Sequence, residues 1–407
     1  AEVEVRWPDG RRQRLSANAD QTLVLRHADA RPDEAPEGSD QPAVRFREMA
    51  DRLGIDFRHT EDEFNDFNIE KLMPFMLSTE GPAFAKGDVN GDGYDDLFFG
   101  GARGQAGALY VQVLDNGRAA FRQMQRFDDA ALSEDVAATF FDADGDGDLD
   151  LYVASAGNAF PGNAPQLADR LYLNDGTGRF AKAEGALPPM FENTACVVAA
   201  DFDEDGDLDL FVGTRNVTGH YGRVPRSHVL LNDGSARFAE AETPWAVPLR
   251  QLGMVTSACW LPERRELVVV GDYLPVSFFR IEGGRILKMD VPDSHGWWRT
   301  LAAADLDGDG DTDLLAGNMG LNSPFVATPE EPVELFSADF DRNFSTDPIL
   351  TWFRQGQRYP FAARDELVAQ LVSLRKAYPD YASYARAPFD EIIEYLTPQQ
   401  VNYYRAE

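Results

Sequence analysis

The chain has 407 residues, and 38 Lys and Arg against 69 Asp and Glu give a formal net charge of −31 at pH 7. Nucleic-acid phosphate and anionic membrane surfaces attract positive patches, so this balance argues against either as the main partner. With 43% hydrophobic and 11% aromatic residues the chain can still build cores, and its acidity does not signal disorder.

No apolar run reaches the roughly 18 residues of a membrane helix, so no direct membrane insertion of that kind is expected. Cys196 and Cys259 are too few for a disulfide scaffold, which leaves size and packing to hold the fold. The chain opens on Ala1 without a leader pattern, as expected of a mature or excised stretch of a longer protein.

In chain order, residues 1–29 alternate at Val3, Val5 and Trp7, turn at Pro8-Asp9-Gly10, and resume at Leu23-Val24-Leu25, a hairpin signature. Residues 30–42 carry Pro32, Pro36, Gly38 and Pro42 without apolar periodicity and read as a linker. Residues 43–80 form a lead-in in which Val44, Phe46, Met49, Leu53 and Ile55 predict a short amphipathic helix over 43–56.

From about residue 81 to 360 the sequence repeats itself. Four segments share one template, starting at Asp88, Asp142, Asp201 and Asp305, and a fifth at Asp339 keeps the spacing but lacks the glycine at position 6. Each leads into an apolar run, such as Leu97-Phe98-Phe99 or Leu210-Phe211-Val212. Downstream, Leu171-Tyr172-Leu173 and Val229-Leu230-Leu231 close on Asn-Asp-Gly turns. The first three loops start 54 and 59 residues apart, and the next gap spans two periods, with a loop-less unit around Leu267-Val268-Val269-Val270. Six units, starting near residues 82, 136, 195, 254, 299 and 334, each of about four short strands, predict an all-β fold of propeller blades. In residues 361–407, Leu367, Val368, Leu371 and Leu374 predict a helix over 364–377, and Phe389, Ile392, Ile393 and Leu396 another over 389–396.

Carboxylates crowded into nine residues repel one another unless a cation gathers them. The expected side-chain ligands stand at positions 1, 3, 5 and 9. They are Asp88, Asn90, Asp92 and Asp96; Asp142, Asp144, Asp146 and Asp150; Asp201, Asp203, Asp205 and Asp209; Asp305, Asp307, Asp309 and Asp313; and Asp339, Asp341, Asn343 and Asp347. Position 7 adds a backbone carbonyl from Tyr94, Asp148, Asp207, Asp311 or Ser345. An all-oxygen set of this kind suits Ca²⁺, up to five ions, better than Mg²⁺ with its strict octahedron. An EF-hand is excluded, because Val153 stands where its bidentate Glu belongs and strands flank the loop. These loops hold 23 of the 69 acidic residues, so the net charge speaks less of a repelled partner than of a bound metal.

The Asp-x-Asp/Asn-x-Asp-Gly-x-x-Asp loop with its apolar strand, as in 88–101, resembles the FG-GAP (VCBS-type) repeat of integrin α-chain β-propellers. Val3-Glu4-Val5-Arg6-Trp7-Pro8-Asp9-Gly10 through Gln13 is similar to the closing hairpin of an ASPIC/UnbV domain, and together the two resemble the CRTAC/ASPIC group of FG-GAP proteins. The resemblance implies an extracellular, cell-surface or periplasmic location, calcium in the loops, and a role in adhesion or ligand binding. Such propellers commonly have seven blades, so the six recognisable here and the partial ASPIC-like piece are expected to belong to a longer chain with further domains.

Segments after the second strand of a blade emerge opposite the metal loops, and three are long: 155–170, 214–227 and 318–332. They supply the candidate contacts to a protein or glycan ligand: Asn158, Arg170, Arg215, His220, Tyr221, Arg223, Asn318 and Asn322. His220-Tyr221-Gly222-Arg223 is the one compact set with catalytic potential, a base beside an Arg that would neutralise a uronate in polysaccharide β-elimination. No other catalytic signature is present. The expected function is therefore a non-enzymatic calcium-binding module, with a polysaccharide lyase or a structural spacer as alternatives. Cys196 and Cys259 fall on inner strands of neighbouring blades, as free thiols or a cross-blade disulfide.

Overall fold

The computed structural model describes residues 2–7, 11–16, 23, 25–31, 46–320, 322–396 and 401–407. They divide into two bodies, Ala1–Met49 and Ala50–Glu407. In the first, β1 (Glu2–Arg6) pairs antiparallel with β2 (Arg12–Ser16), setting Val3 opposite Leu15. The Pro8-Asp9-Gly10 turn, Val24 and the 32–45 part of the expected linker and helix lie outside the described residues.

The second body opens on one helical turn, α1 (Ala50–Leu53), in place of the longer helix expected over 43–56. Gly54 ends it: its φ is +83°, and a Cβ there would meet the Phe121 carbonyl oxygen at 2.7 Å.

The repeats then form antiparallel meanders. The first holds β3 (Phe84–Gly87), β4 (Asp96–Phe99), β5 (Ala108–Asp115) and β6 (Arg118–Arg126), and the second β7 (Glu134–Phe141), β8 (Asp150–Ala156), β9 (Arg170–Asn174) and β10 (Phe180–Lys182). The third holds β11 (Asn193–Ala200), β12 (Asp209–Asn216), β13 (His228–Asn232) and β14 (Phe238–Glu240). The fourth repeat, β15 (Met254–Leu261), β16 (Glu266–Leu274), β17 (Ser277–Glu282) and β18 (Arg285–Asp290), is joined through β16 to a hairpin of β19 (Gly296–Ala304) and β20 (Asp313–Asn318). The last sheet contains β21 (Val333–Ala338), β22 (Asp347–Arg354) and β23 (Gln357–Pro360), with β24 (Asn402–Ala406) added at the β21 edge. The fold is all-β and propeller-type.

Strand alternation decides how the repeats pack. Position 2 of each of the first three acidic loops and position 11, on the second strand, face the following repeat. Val89 and Phe98 bury against Leu151, Tyr172 and Phe180; Ala143 and Tyr152 against Leu210 and Leu230; Phe202 and Phe211 against Leu267, Val269 and Phe279. In the last repeat Phe340 and Ile349 instead meet the C-terminal helices α2 (Arg364–Gln370), α3 (Leu374–Ala377), α4 (Tyr381–Tyr384) and α5 (Phe389–Ile393), through Leu367, Val368, Phe389 and Ile392. The helix expected over 364–377 is broken after Gln370, where β-branched Val372 and Ser373 are weak helix formers. The helical reading of residues 361–407 also missed β24.

Residues 66–80 of the lead-in lie against the repeats. Met73 and Leu77 join Tyr221, Tyr273, Trp297, Phe325 and Leu335 in one buried cluster. Cys196 and Cys259 are free, and burial pushes their thiols up to about 12 and about 11.

Candidate metal centre

Each acidic loop joins the first two strands of its repeat, and its side-chain oxygens turn inward because they accept the loop's own N–H groups. The position 7 N–H donates to the position 5 side chain in all five loops, at 2.9 Å from Tyr94 to Asp92 and 2.7 Å from Ser345 to Asn343. The position 1 carboxylate accepts the position 6 N–H, as from Gly93 to Asp88 at 2.7 Å and from Phe344 to Asp339 at 2.9 Å. Such turns need left-handed backbone at positions 4 and 6, and every loop has it at both. Sequence reasoning assigned that role to position 6 alone; Gly91, Gly145 and Gly308 were the overlooked signal for position 4. The exceptions to glycine are Glu204, Arg342 and Phe344, at φ 70°, 64° and 70°.

Position 9 sits deeper and latches the repeat. Its Oδ2 accepts the position 2 N–H in all five loops, at 2.9 to 3.1 Å. Its Oδ1 accepts a third-strand N–H from Gln112, Asn174 or Asn232 in the first three loops, and the Gln370 side chain at Asp347. Burial pushes Asp150 up to about 6 and Asp209 up to about 7, against the pull of these hydrogen bonds.

The donor set fits a hard cation. Three carboxylates each bring an oxygen within 4.8 Å of the others in Asp142, Asp144 and Asp146; in Asp201, Asp203 and Asp209; in Asp305, Asp307 and Asp313; and in Asp339, Asp341 and Asp347. In the first loop the amide of Asn90 replaces one carboxylate. A carboxylate oxygen that accepts one N–H keeps a second lone pair for a metal, so the latch at position 9 does not remove it from the donor set.

The eight candidate ligand contacts part company in the structure. Asn158, Arg170, Arg215 and Tyr221 are buried. Asn158 donates to Glu70 Oε2 at 2.7 Å and accepts from the Gly219 N–H at 2.9 Å, while the Tyr221 N–H donates to Glu70 Oε1 at 2.7 Å. Arg170 pairs with Asp135 at 2.5 Å; Arg215 pairs with Glu80 and, through Nε, with Asp272 at 2.8 Å. His220 is half-buried, its Nδ1 2.9 Å from Thr346 Oγ1, and burial together with the Arg223 charge pulls its pKa down. Arg223, Asn318 and Asn322 are exposed.

Glu70, Glu80 and Asp272 had escaped sequence reasoning. The signal for the first two was acid placed among the apolar Leu72, Met73 and Leu77 of the lead-in. Beside them lies a cavity of about 420 Å³ lined by Phe75, Glu80, Arg215, Thr256, Arg299 and Met319, among others. Arg299 reaches Asp272 at 3.2 Å and lies 4.4 Å from the Phe75 ring centroid. Trp297 is buried edge-on to Phe75, Tyr273 and Phe325.

No helix among the described residues is long and apolar enough to cross a membrane. No curated protein matches the chain. Among solved structures, a protein from Lactobacillus plantarum is 11% identical over 82% of this chain and 90% of that one, with a TM-score of 0.36. The exotype rhamnogalacturonan lyase YesX is 14% identical over 68% of this chain and 62% of the lyase, with a TM-score of 0.26. The FG-GAP-like repeat family matches residues 88–153 and 142–212, and the FG-GAP repeat family residues 297–327. The chain thus carries FG-GAP repeats on an all-β, propeller-type fold.

Proposed function

We propose that the chain is a calcium-stabilised propeller module of an extracellular or cell-surface protein that binds a protein or glycan. The observation that carries the metal is the convergence of three carboxylate oxygens within 4.8 Å in each of four loops. Asp142, Asp144 and Asp146 and their counterparts would hold the ion, which supplies charge neutralisation and a cross-link across each hairpin tip.

For the ligand, the face opposite these loops offers exposed Arg223, Asn318 and Asn322 and the cavity lined by Arg215 and Arg299. A cavity with a few convergent polar groups is the usual form of such a site. The non-enzymatic reading is supported by Tyr221, which is fully buried, and by His220, whose Nδ1 is engaged by Thr346. The CRTAC/ASPIC affinity draws on the N-terminal hairpin taken together with the repeats.

Thermal melting with and without calcium tests the metal. EDTA should lower the melting temperature and excess calcium restore it; calcium at 100 times its Kd stabilises by about 2.7 kcal/mol per site. A melting point indifferent to both overturns the metal reading. Screening the chain against protein and glycan arrays with and without calcium tests the ligand.

A further inference from the structure

The fifth repeat is half-built. Its sheet ends at β20, which pairs with β19 on one side and, among the described residues, with nothing on the other. In the first three repeats the strand that follows pairs with the second strand, setting Leu109 opposite Phe98, Leu171 opposite Tyr152 and Val229 opposite Phe211. That strand carries Gln112, Asn174 or Asn232, whose N–H closes the position 9 latch. In the fifth repeat the corresponding Asp313 keeps the Leu306 N–H on Oδ2, while no described third-strand N–H reaches Oδ1.

Among the described residues, the same repeat also lacks a following repeat packed over its face. Leu306 and Leu315, at positions 2 and 11, are 64% and 63% exposed, whereas their counterparts in the other acidic-loop repeats are at most 3% exposed. Two large apolar side chains at core positions of a repeat, beside an open strand edge, are an unfilled packing position rather than ordinary surface.

We propose that β20 is a strand-addition site for a β-hairpin of a partner polypeptide. The other repeats state the chemistry of the occupant: an extended run of three apolar residues closing on Asn or Gln, as in Leu171-Tyr172-Leu173-Asn174 and Val229-Leu230-Leu231-Asn232. It lies antiparallel to β20, sets its first apolar residue beside Leu315, and gives the N–H of its Asn to Asp313. Among the described strands of a second copy, β5, β9 and β13 carry this pattern and are each already flanked by strands on both sides, which points to a different polypeptide. Main-chain hydrogen bonds give the affinity and the alternate side chains the selectivity.

The test uses the full chain in calcium and a fluorescent synthetic peptide with the sequence of residues 228–240, followed by anisotropy and hydrogen exchange. The expected result is saturable binding, with amide protection gained over Asp313–Asn318, and at least about tenfold weaker binding to Leu315→Glu, which would bury a charge on pairing. Leu287→Glu, on the outer edge strand β18, should bind as the parent does. Leu315→Thr, which keeps a strand-forming side chain, repeats the test with little risk to folding and should also weaken binding. Absent binding, binding that both Leu315 variants leave intact, protection over Arg285–Asp290 instead, or self-association of the chain through Leu315 would each overturn the proposal.

Discussion

The Asn174 side-chain amide donates to the Val89 carbonyl, inside the acidic loop of the preceding repeat, at 2.7 Å. Its backbone N–H meanwhile donates to Asp150 Oδ1 at 2.8 Å. Asn232 repeats both contacts, to the Ala143 carbonyl at 2.8 Å and to Asp209 Oδ1 at 2.9 Å. One residue of the Asn-Asp-Gly turn therefore ties the loop of its own repeat to the loop next door.

Replacing that amide should loosen two loops at once. Asn174→Leu or Asn232→Leu leaves buried carbonyls without a donor, at a cost of about 1–3 kcal/mol each. Denaturant titration should show the loss, and calorimetry should show weaker calcium binding at the paired loops. An unchanged unfolding midpoint would remove the clamp from the account.

His228 makes stability depend on pH. Burial pulls its pKa down, but Nδ1 lies 2.7 Å from Glu240 and Nε2 3.3 Å from Glu192, and these partners outweigh burial and push it up to about 9. A pKa raised on folding stabilises fully below the ordinary 6.5 and is lost as pH rises towards 9. Melting between pH 6.5 and 9 in calcium should therefore lose on the order of 2–3 kcal/mol, and His228→Gln should flatten that slope. Equal slopes for the two proteins would contradict it.

Phe344 occupies position 6 of the fifth loop at φ 70° with its side chain 92% exposed. The left-handed conformation costs a non-glycine residue roughly 1–2 kcal/mol, and no packing offsets it here. Phe344→Gly should raise stability by about 0.5–1 kcal/mol once the greater freedom of the unfolded glycine is counted. A loss of stability would show that the ring has a partner.

The spacing of Asp, Asn and Gly within nine residues determined the metal loops, because loop geometry is closed by hydrogen bonds between residues two to five apart. Apolar alternation likewise determined which side of each strand meets a neighbour, since the strand period is local. Tertiary structure alone decided the fate of the opposite face. Asn158, Arg170, Arg215 and Tyr221 look like free recognition residues in the sequence, yet they pair with Glu70, Glu80, Asp135 and Asp272, 35 to 151 residues away in the chain. The same holds for Leu306 and Leu315: their spacing makes them core residues, and only the tertiary structure, in which no following repeat among the described residues packs over them, leaves them bare. Spacing encodes how a loop or strand folds on itself, whereas the partner of a buried charge or an apolar face depends on which distant segment packs there.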